Sequence, residues 1–191
     1  QRRELTESLQ RGTLRLTRLI DNLLESVRIE SGQLAIRRQS VDLAEVVDDA
    51  RILSGSLFAQ RRQRLEVSLP GELPLIEGDR HRLTQVLVNL LANANKFAPE
   101  GSTVRIGGDA GEDRLAVWVE DEGPGPAAPA GEGLFAPFSR GAEHEPEPGG
   151  LGLGLWIVRS IVERHGGTIS VERTGEARTR FTMILPVEVT A

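Results

Sequence analysis

Residues 85–97 read Gln-Val-Leu-Val-Asn-Leu-Leu-Ala-Asn-Ala-Asn-Lys-Phe, an apolar helical pattern broken by amides where a buried helix should carry none. Val86, Leu87, Leu90, Leu91 and Ala94 recur at helical spacing, while Asn89, Asn93 and Lys96 fall at i, i+4 and i+7 on a second stripe. A carboxamide offers a neutral oxygen to a hard cation and an ammonium offers a point charge to phosphate, so the stripe suits a metal-bound polyphosphate. A solvated helix face gives the same spacing and is the commoner cause when nothing else points to a ligand.

Two glycine-rich stretches downstream shift that balance. Asp121-Glu-Gly-Pro-Gly125 follows a strand-like run, and Gly149-Gly-Leu-Gly-Leu-Gly-Leu155 precedes and opens a helix. Gly123 and Gly125 let backbone approach a flat ligand without a side chain in the way. Gly150, Gly152 and Gly154 place backbone N–H groups and the positive end of a helix dipole where phosphates could meet them. Asn stripe, Asp-x-Gly-x-Gly and Gly-x-Gly-x-Gly, in this order and at these intervals, resemble the ATP-binding domain of sensor histidine kinases, within the gyrase, Hsp90, histidine kinase and MutL ATPase superfamily.

Composition narrows the alternatives. At 191 residues and 39% hydrophobic, the chain can bury one substantial core. A net charge of −5 argues against a nucleic-acid binder, which needs a basic stripe to displace counterions. Of 23 basic residues only Lys96 is a lysine, and it lies on the amide stripe. The absence of cysteine excludes disulfides and thiolate metal sites and fits a cytoplasmic setting. No run approaches the roughly 20 apolar residues of a membrane span. The first residue is Gln1, not Met, so the chain is expected to be a piece of a longer protein from which a transmembrane or sensor segment could have been cut away.

Residues 3–30 read as one helix, with Leu9, Leu16 and Leu23 seven apart and Leu19, Ile20 and Val27 completing a stripe that wants a helical partner. Ser31-Gly32 ends it. A strand over Leu34–Arg38 is expected, then a helix over 43–62 capped by Asp42 and facing inward through Leu43, Val46, Val47, Ala50, Leu53 and Leu57. Strands follow at Leu65–Leu69 and Leu75–Ile76; Asp79 caps the Asn-bearing helix, which ends near Phe97 before Pro99. A hairpin over 103–107 and 114–120 delivers Asp121 at a strand end. Residues 126–149, rich in Gly, Pro, Ala and Glu, are expected to form a mobile lid. A helix over 151–165 and strands over 168–172 and 180–187 complete an α/β chain of α+β type. The expected fold is a two-layer sandwich, a mixed β-sheet with three helices on one face, preceded by the long N-terminal helix.

The resemblance implies a role for each site residue. Residues 1–32 would be the second helix of the dimerisation hairpin, and 33–191 the ATP-binding catalytic domain. Asp121 would accept from the adenine amine, Asn93 would coordinate Mg²⁺, Lys96 would contact phosphate, Asn89 would support the reacting phosphate, and Phe97 would lie against nucleotide. Gly123, Gly125, Gly150, Leu151, Gly152, Leu153, Gly154 and Thr179 complete the nucleotide-binding set, and Arg140 would offset phosphate charge. In hydrolysing relatives the position of Asn89 is a glutamate that activates water; an amide cannot take a proton, which favours transfer to another acceptor. The implied cofactors are ATP and Mg²⁺. The implied partners are a dimerisation hairpin carrying the acceptor histidine, a response regulator, and a second copy through the N-terminal helix. None of His81, His144 and His165 lies on that helix, so the chain is expected to bind ATP without phosphorylating itself. Pro126, Leu151 and Arg178 depart from the family pattern without removing a ligand. An ATP-hydrolysing member and a nucleotide-responsive interaction module are the competing readings.

Overall fold

The computed structural model describes residues 2–126, 132–139, 151–175 and 178–187. Helix α1 (Arg2–Glu30) opens the chain, followed by strand β1 (Gln39–Val41), α2 (Leu43–Gln60), β2 (Arg64–Ser68), β3 (Ile76–Gly78), α3 (Arg80–Phe97), β4 (Thr103–Ala110) and β5 (Arg114–Asp121). A 3-10 turn (Glu132–Phe135), α4 (Gly154–Arg164), β6 (Thr168–Arg173) and β7 (Thr179–Pro186) complete it. The main sheet runs β2-β4-β5-β7-β6, with β2 parallel to β4 and the other pairs antiparallel. Helices α2, α3 and α4 cover one face, giving the two-layer sandwich expected from the element order.

Alternation makes the core. Leu115, Val117 and Val119 of β5 and Phe181, Met183 and Leu185 of β7 point to the helical layer and are buried. They meet Leu83, Val86, Leu87, Leu90, Leu91 and Ala94 of α3 and Ile157, Val158, Ile161 and Val162 of α4 in one apolar cluster. On the opposite face Trp118 lies across Gly107, where any Cβ would sit 2.0 Å from the indole, and Arg180 stacks 4.3 Å over its ring.

Three expectations need correction. The strand expected over Leu34–Arg38 forms instead at Gln39–Val41 and pairs with β3 in a separate two-stranded sheet. Leu34 is a buried core residue whose carbonyl accepts from Arg164, and the Arg37 N–H donates to Asp79, so tertiary anchors hold this segment out of a ladder. In α2 the inward stripe is Leu43, Val46, Val47, Ala50, Ser54 and Phe58, while Leu53 is 62% exposed. The 3.6-residue period carries the stripe past Leu53 despite its apolar side chain. Finally, α4 starts at Gly154, so Leu151 and Gly152 precede the helix.

Helix α1 ends as expected. Gly32 sits at φ 71, the Gln33 N–H donates to Arg28 O at 2.8 Å, and the Gly32 N–H donates to Ile29 O at 3.1 Å. Near this end Glu25 is buried and pairs with Arg82 of α3, and Ile29 packs on the core. Leu16, Ile20, Leu23, Leu24 and Val27 remain exposed on another face. Leu9 and most of the expected 126–149 lid lie outside the residues whose side chains are described.

Candidate active site

Helix α3 presents the amide stripe because its N-terminus is firmly held. Asp79 caps it, accepting from the Arg82 N–H at 3.2 Å and the Arg37 N–H at 3.0 Å. Burial pushes the Asp79 carboxyl up, but those two donors and the Arg82 charge outweigh it and leave the group below its ordinary value. His165 fixes the same corner: its Nε2 accepts from the Asp79 N–H at 2.9 Å, and its Nδ1 lies 2.8 Å from Ile161 O. Burial holds the imidazole below its usual value, so it serves as a neutral strut between α4 and the cap of α3.

Further along, α3 changes character. The Asn89 Nδ2 is buried without a hydrogen-bond partner, an uncommon and costly condition unless something polar arrives there. Asn93 and Lys96 follow on the same face by helical spacing, and the Lys96 Nζ stands 4.9 Å from the Phe97 ring, itself 47% exposed. Among the described residues no group of three or more His, Cys, Asp or Glu side chains could hold a metal. Asn89 and Asn93 put amide groups on this face by helical spacing, and a neutral amide oxygen is a donor that suits a hard cation whose other positions are filled by phosphate and water.

Asp121 ends β5 on the helical side and is 3% exposed. Its Oδ1 accepts from the Gly123 N–H at 2.7 Å. Burial raises the carboxyl to about 6, the one backbone donor being too little to offset it and the neighbouring Glu120 charge adding to the rise. A Cβ on Gly123 would lie 2.5 Å from that Oδ1 and 3.0 Å from Phe97 O, so only glycine lets the loop seat between the carboxylate and the end of α3. Thr179, paired with Asp121 across β5 and β7, donates from Oγ1 to Gly123 O at 3.3 Å. Gly125 lies against the same hydroxyl. Asp121, Gly123, Gly125, Thr179 and Phe97 are thus one local assembly.

The third part is the start of α4. Gly152, at φ 69, packs so tightly that a Cβ would meet Ser139 O at 2.5 Å, tying the glycine stretch to the segment holding Phe138. Leu153 is buried at the N-cap position and supplies no side-chain cap, so the first N–H groups of α4 lack the usual hydroxyl or carboxylate. Nothing lies within 4 Å of a Cβ on Gly154, hence packing does not demand glycine there; a bare backbone keeps those donors approachable. Leu151 is half-buried against the core. Arg140, Gly150 and His144 lie outside the described residues. Two surface concavities, of about 710 Å³ beside Glu120 and about 560 Å³ beside His81, are lined by none of the expected nucleotide residues.

A buried carboxyl raised to about 6 beside a glycine-cleared loop, an unpartnered amide on α3 and a helix start without a side-chain cap are the three polar features of this region. The model of the family described as histidine kinase-, DNA gyrase B- and HSP90-like ATPase matches residues 78–189, which hold all three parts. The chain belongs to this family. Sensor protein KdpD of Escherichia coli (strain K12) is 39% identical over 183 residues, 93% of this chain and 20% of that protein. The chain spans about a fifth of the length of the KdpD proteins it matches. Among solved structures, Acinetobacter baumannii histidine kinase AdeS superposes with a TM-score of 0.76 at 26% identity, over 97% of this chain and 85% of that one. Full-length ShkA in complex with AMPPNP gives 0.81 at 25% identity, over 99% of this chain and 40% of that one. This is an ATP-binding catalytic domain of the sensor histidine kinase type, as the resemblance implies. No helix among the described residues is long and apolar enough to cross a membrane.

Sequence reading missed Gln63 and Asn95, which bind together the end of α3 beside Lys96 and Phe97. Asn95 sits one position off the amide stripe, and Gln63 carries no motif, so only tertiary contact reveals either.

Proposed function

We propose that this domain binds Mg-ATP across Asp121, α3 and the start of α4, and passes the γ-phosphoryl group to a histidine on a dimerisation hairpin. The observation that supports it most is Asp121: a carboxylate 3% exposed and raised to about 6 fits an acceptor for an exocyclic amine, and little else in the fold uses it. In this reading adenine lies on the Asp121–Gly123 loop beside Phe97. Asn93 would help hold Mg²⁺, whose charge would offset that of the phosphates; Lys96 and the α4 N–H groups contact phosphate, and Asn89 gives its unpartnered amide to the reacting group. Arg140, Gly150, Leu151, Gly152, Leu153, Gly154, Gly125 and Thr179 complete the surround.

Alignment and charge neutralisation do most of the work of phosphoryl transfer. Asn89 cannot take a proton from water, which favours transfer over hydrolysis. Residues 1–32 form the second helix of the hairpin and 33–191 the catalytic domain. The exposed Leu16, Ile20, Leu23 and Val27 of α1 are the surface for a first hairpin helix and a second copy. A response regulator takes the phosphoryl group onward, in the cytoplasm where ATP is available. The resemblance also leaves a role for the intact protein at a membrane.

The test is transfer of labelled phosphate from Mg-ATP to a supplied hairpin bearing the acceptor histidine. Acid-labile label on the hairpin, lost with Lys96→Ala, is expected. Release of free phosphate at the same rate without the hairpin would favour a hydrolysing enzyme, and ATP binding without either product would favour a nucleotide-responsive interaction module.

A further inference from the structure

Gln63 is 6% exposed, yet its side chain ends in an amide, so burial alone does not account for it. Helix α2 ends just before it. Arg62 takes φ 53, the Gln63 N–H donates to Phe58 O at 2.9 Å and the Arg62 N–H to Ala59 O at 3.2 Å, which reverses the chain beneath the end of α3. From there the Gln63 Nε2 lies 3.2 Å from Asn95 O, 3.2 Å from Ala98 O and 3.0 Å from Pro99 O. Its Oε1 accepts from the Asn95 Nδ2 at 2.6 Å, and that nitrogen also lies 3.2 Å from Leu57 O. Carbonyls at both ends of the pair dictate which atom of each amide is the donor. Arg61 adds donors to the carbonyls of Asn95 and Lys96, the latter at 2.8 Å.

A helix leaves its last four carbonyls without intrahelical partners, and water normally takes them up. Here a side chain from another element gathers the carbonyls on both sides of Lys96 and Phe97. The neighbouring Phe97 O abuts Gly123, where a Cβ would come within 3.0 Å, so any shift of this turn changes the spacing between α3 and the Asp121 loop. We propose that Gln63 is a positioning residue for nucleotide binding, holding the last turn of α3 so that Lys96 and Phe97 face the ligand at Asp121–Gly123. Being buried, it acts through backbone carbonyls. The inference rests on the reading of Lys96 as a phosphate contact.

A double-mutant cycle on the whole chain tests it, with Mg-ATP affinity by calorimetry as the readout for Gln63→Met, Lys96→Ala and the pair. Loss of shared hydrogen bonds should weaken ATP about 10-fold in Gln63→Met. The combined variant should lose less than the product of the two single losses, because one of the two side chains that Gln63 positions is already removed. Asn95→Ala keeps Gln63 but removes the partner of its Oε1. It should weaken ATP about 3-fold with the same non-additivity, and it decides the matter if Gln63→Met does not fold. A general packing role would lower the melting temperature but give losses that multiply, and that result overturns the inference. Weakened binding in Lys96→Ala with full affinity in folded Gln63→Met and Asn95→Ala overturns it alone. Full affinity in Lys96→Ala removes the site reading beneath it.

Discussion

Glu120 and Asp121 are neighbours on β5, almost equally buried at 4% and 3% exposed, and they point to opposite faces of the sheet. Their surroundings differ completely. Glu120 accepts from Thr174 Oγ1 at 2.9 Å and from Arg180 Nε and Nη2 at 3.0 and 2.7 Å, with Arg178 at 3.4 Å. Burial pushes its carboxyl up, but those donors and the Arg charges prevail and hold it below the ordinary value. Asp121 has the Gly123 N–H at its Oδ1 and is pushed up to about 6 by burial. Buried charge is stable only when paired, so one carboxylate is complete within the fold and the other is suited to a donor from outside. In the proposed reading the helical face carries the ligand, while the open face is held together by its own ion pairs.

The largest expected contrast is in ATP affinity. Asp121→Asn replaces an acceptor by a mixed amide and should weaken ATP by about 100-fold, or about 2.7 kcal/mol, by calorimetry, while Glu120→Gln leaves affinity near wild type. Stability should move the other way. Glu120→Gln strands the Arg180 and Arg178 guanidiniums and should cost about 2 kcal/mol in urea unfolding at pH 7. Asp121→Asn should cost nothing at that pH. A raised folded-state value means that Asp121 contributes stability below its unfolded value of 3.8 and loses it as pH rises through about 6, so at pH 7 a neutral side chain is no worse. The Glu120 contribution has the opposite sign: with its folded value below 4.5, it is present above that and lost as pH falls through the folded value.

A third effect is smaller. If ATP binds the ionised form of Asp121, affinity should fall about tenfold between pH 7 and pH 5 as the carboxyl protonates near 6, and Asp121→Asn should be flat over that window. Smallest of all, Arg178→Ala should change unfolding free energy by under about 0.5 kcal/mol, since its side chain is 47% exposed and Arg180 keeps the closer contact to Glu120. A large loss there would mean that the open face depends on the whole cluster and not on one pair.

The sequence announced these two faces unequally. Asp121 was legible because two glycines follow it, and the cap and end of α3 were legible because Asp79 and Pro99 bracket an apolar run of helical period. Glu120 was invisible as a buried residue: its partners Thr174, Arg178 and Arg180 lie more than 50 positions away and reach it only through β7 pairing. The same limit explains the misplaced first strand. Leu34 to Arg38 alternates like a strand, yet the Arg37 bond to Asp79 and the Arg164 bond to Leu34 O fix it elsewhere. Leu53 misled because hydrophobicity suggested burial where helix geometry turns it outward. Gln63 gave no signal, since a lone amide in a turn between helix and strand has no pattern.

The central claim is that Asp121 is held in the fold for a donor supplied by ATP. Its most direct test is the titration of the Asp121 carboxyl carbon by NMR, with and without Mg-ATP. The free domain should show a midpoint near 6, and by linkage the midpoint should fall when ATP is bound, because the nucleotide binds the carboxylate form. A midpoint at the ordinary aspartate value in the free domain, or one unmoved by saturating ATP, would contradict the account.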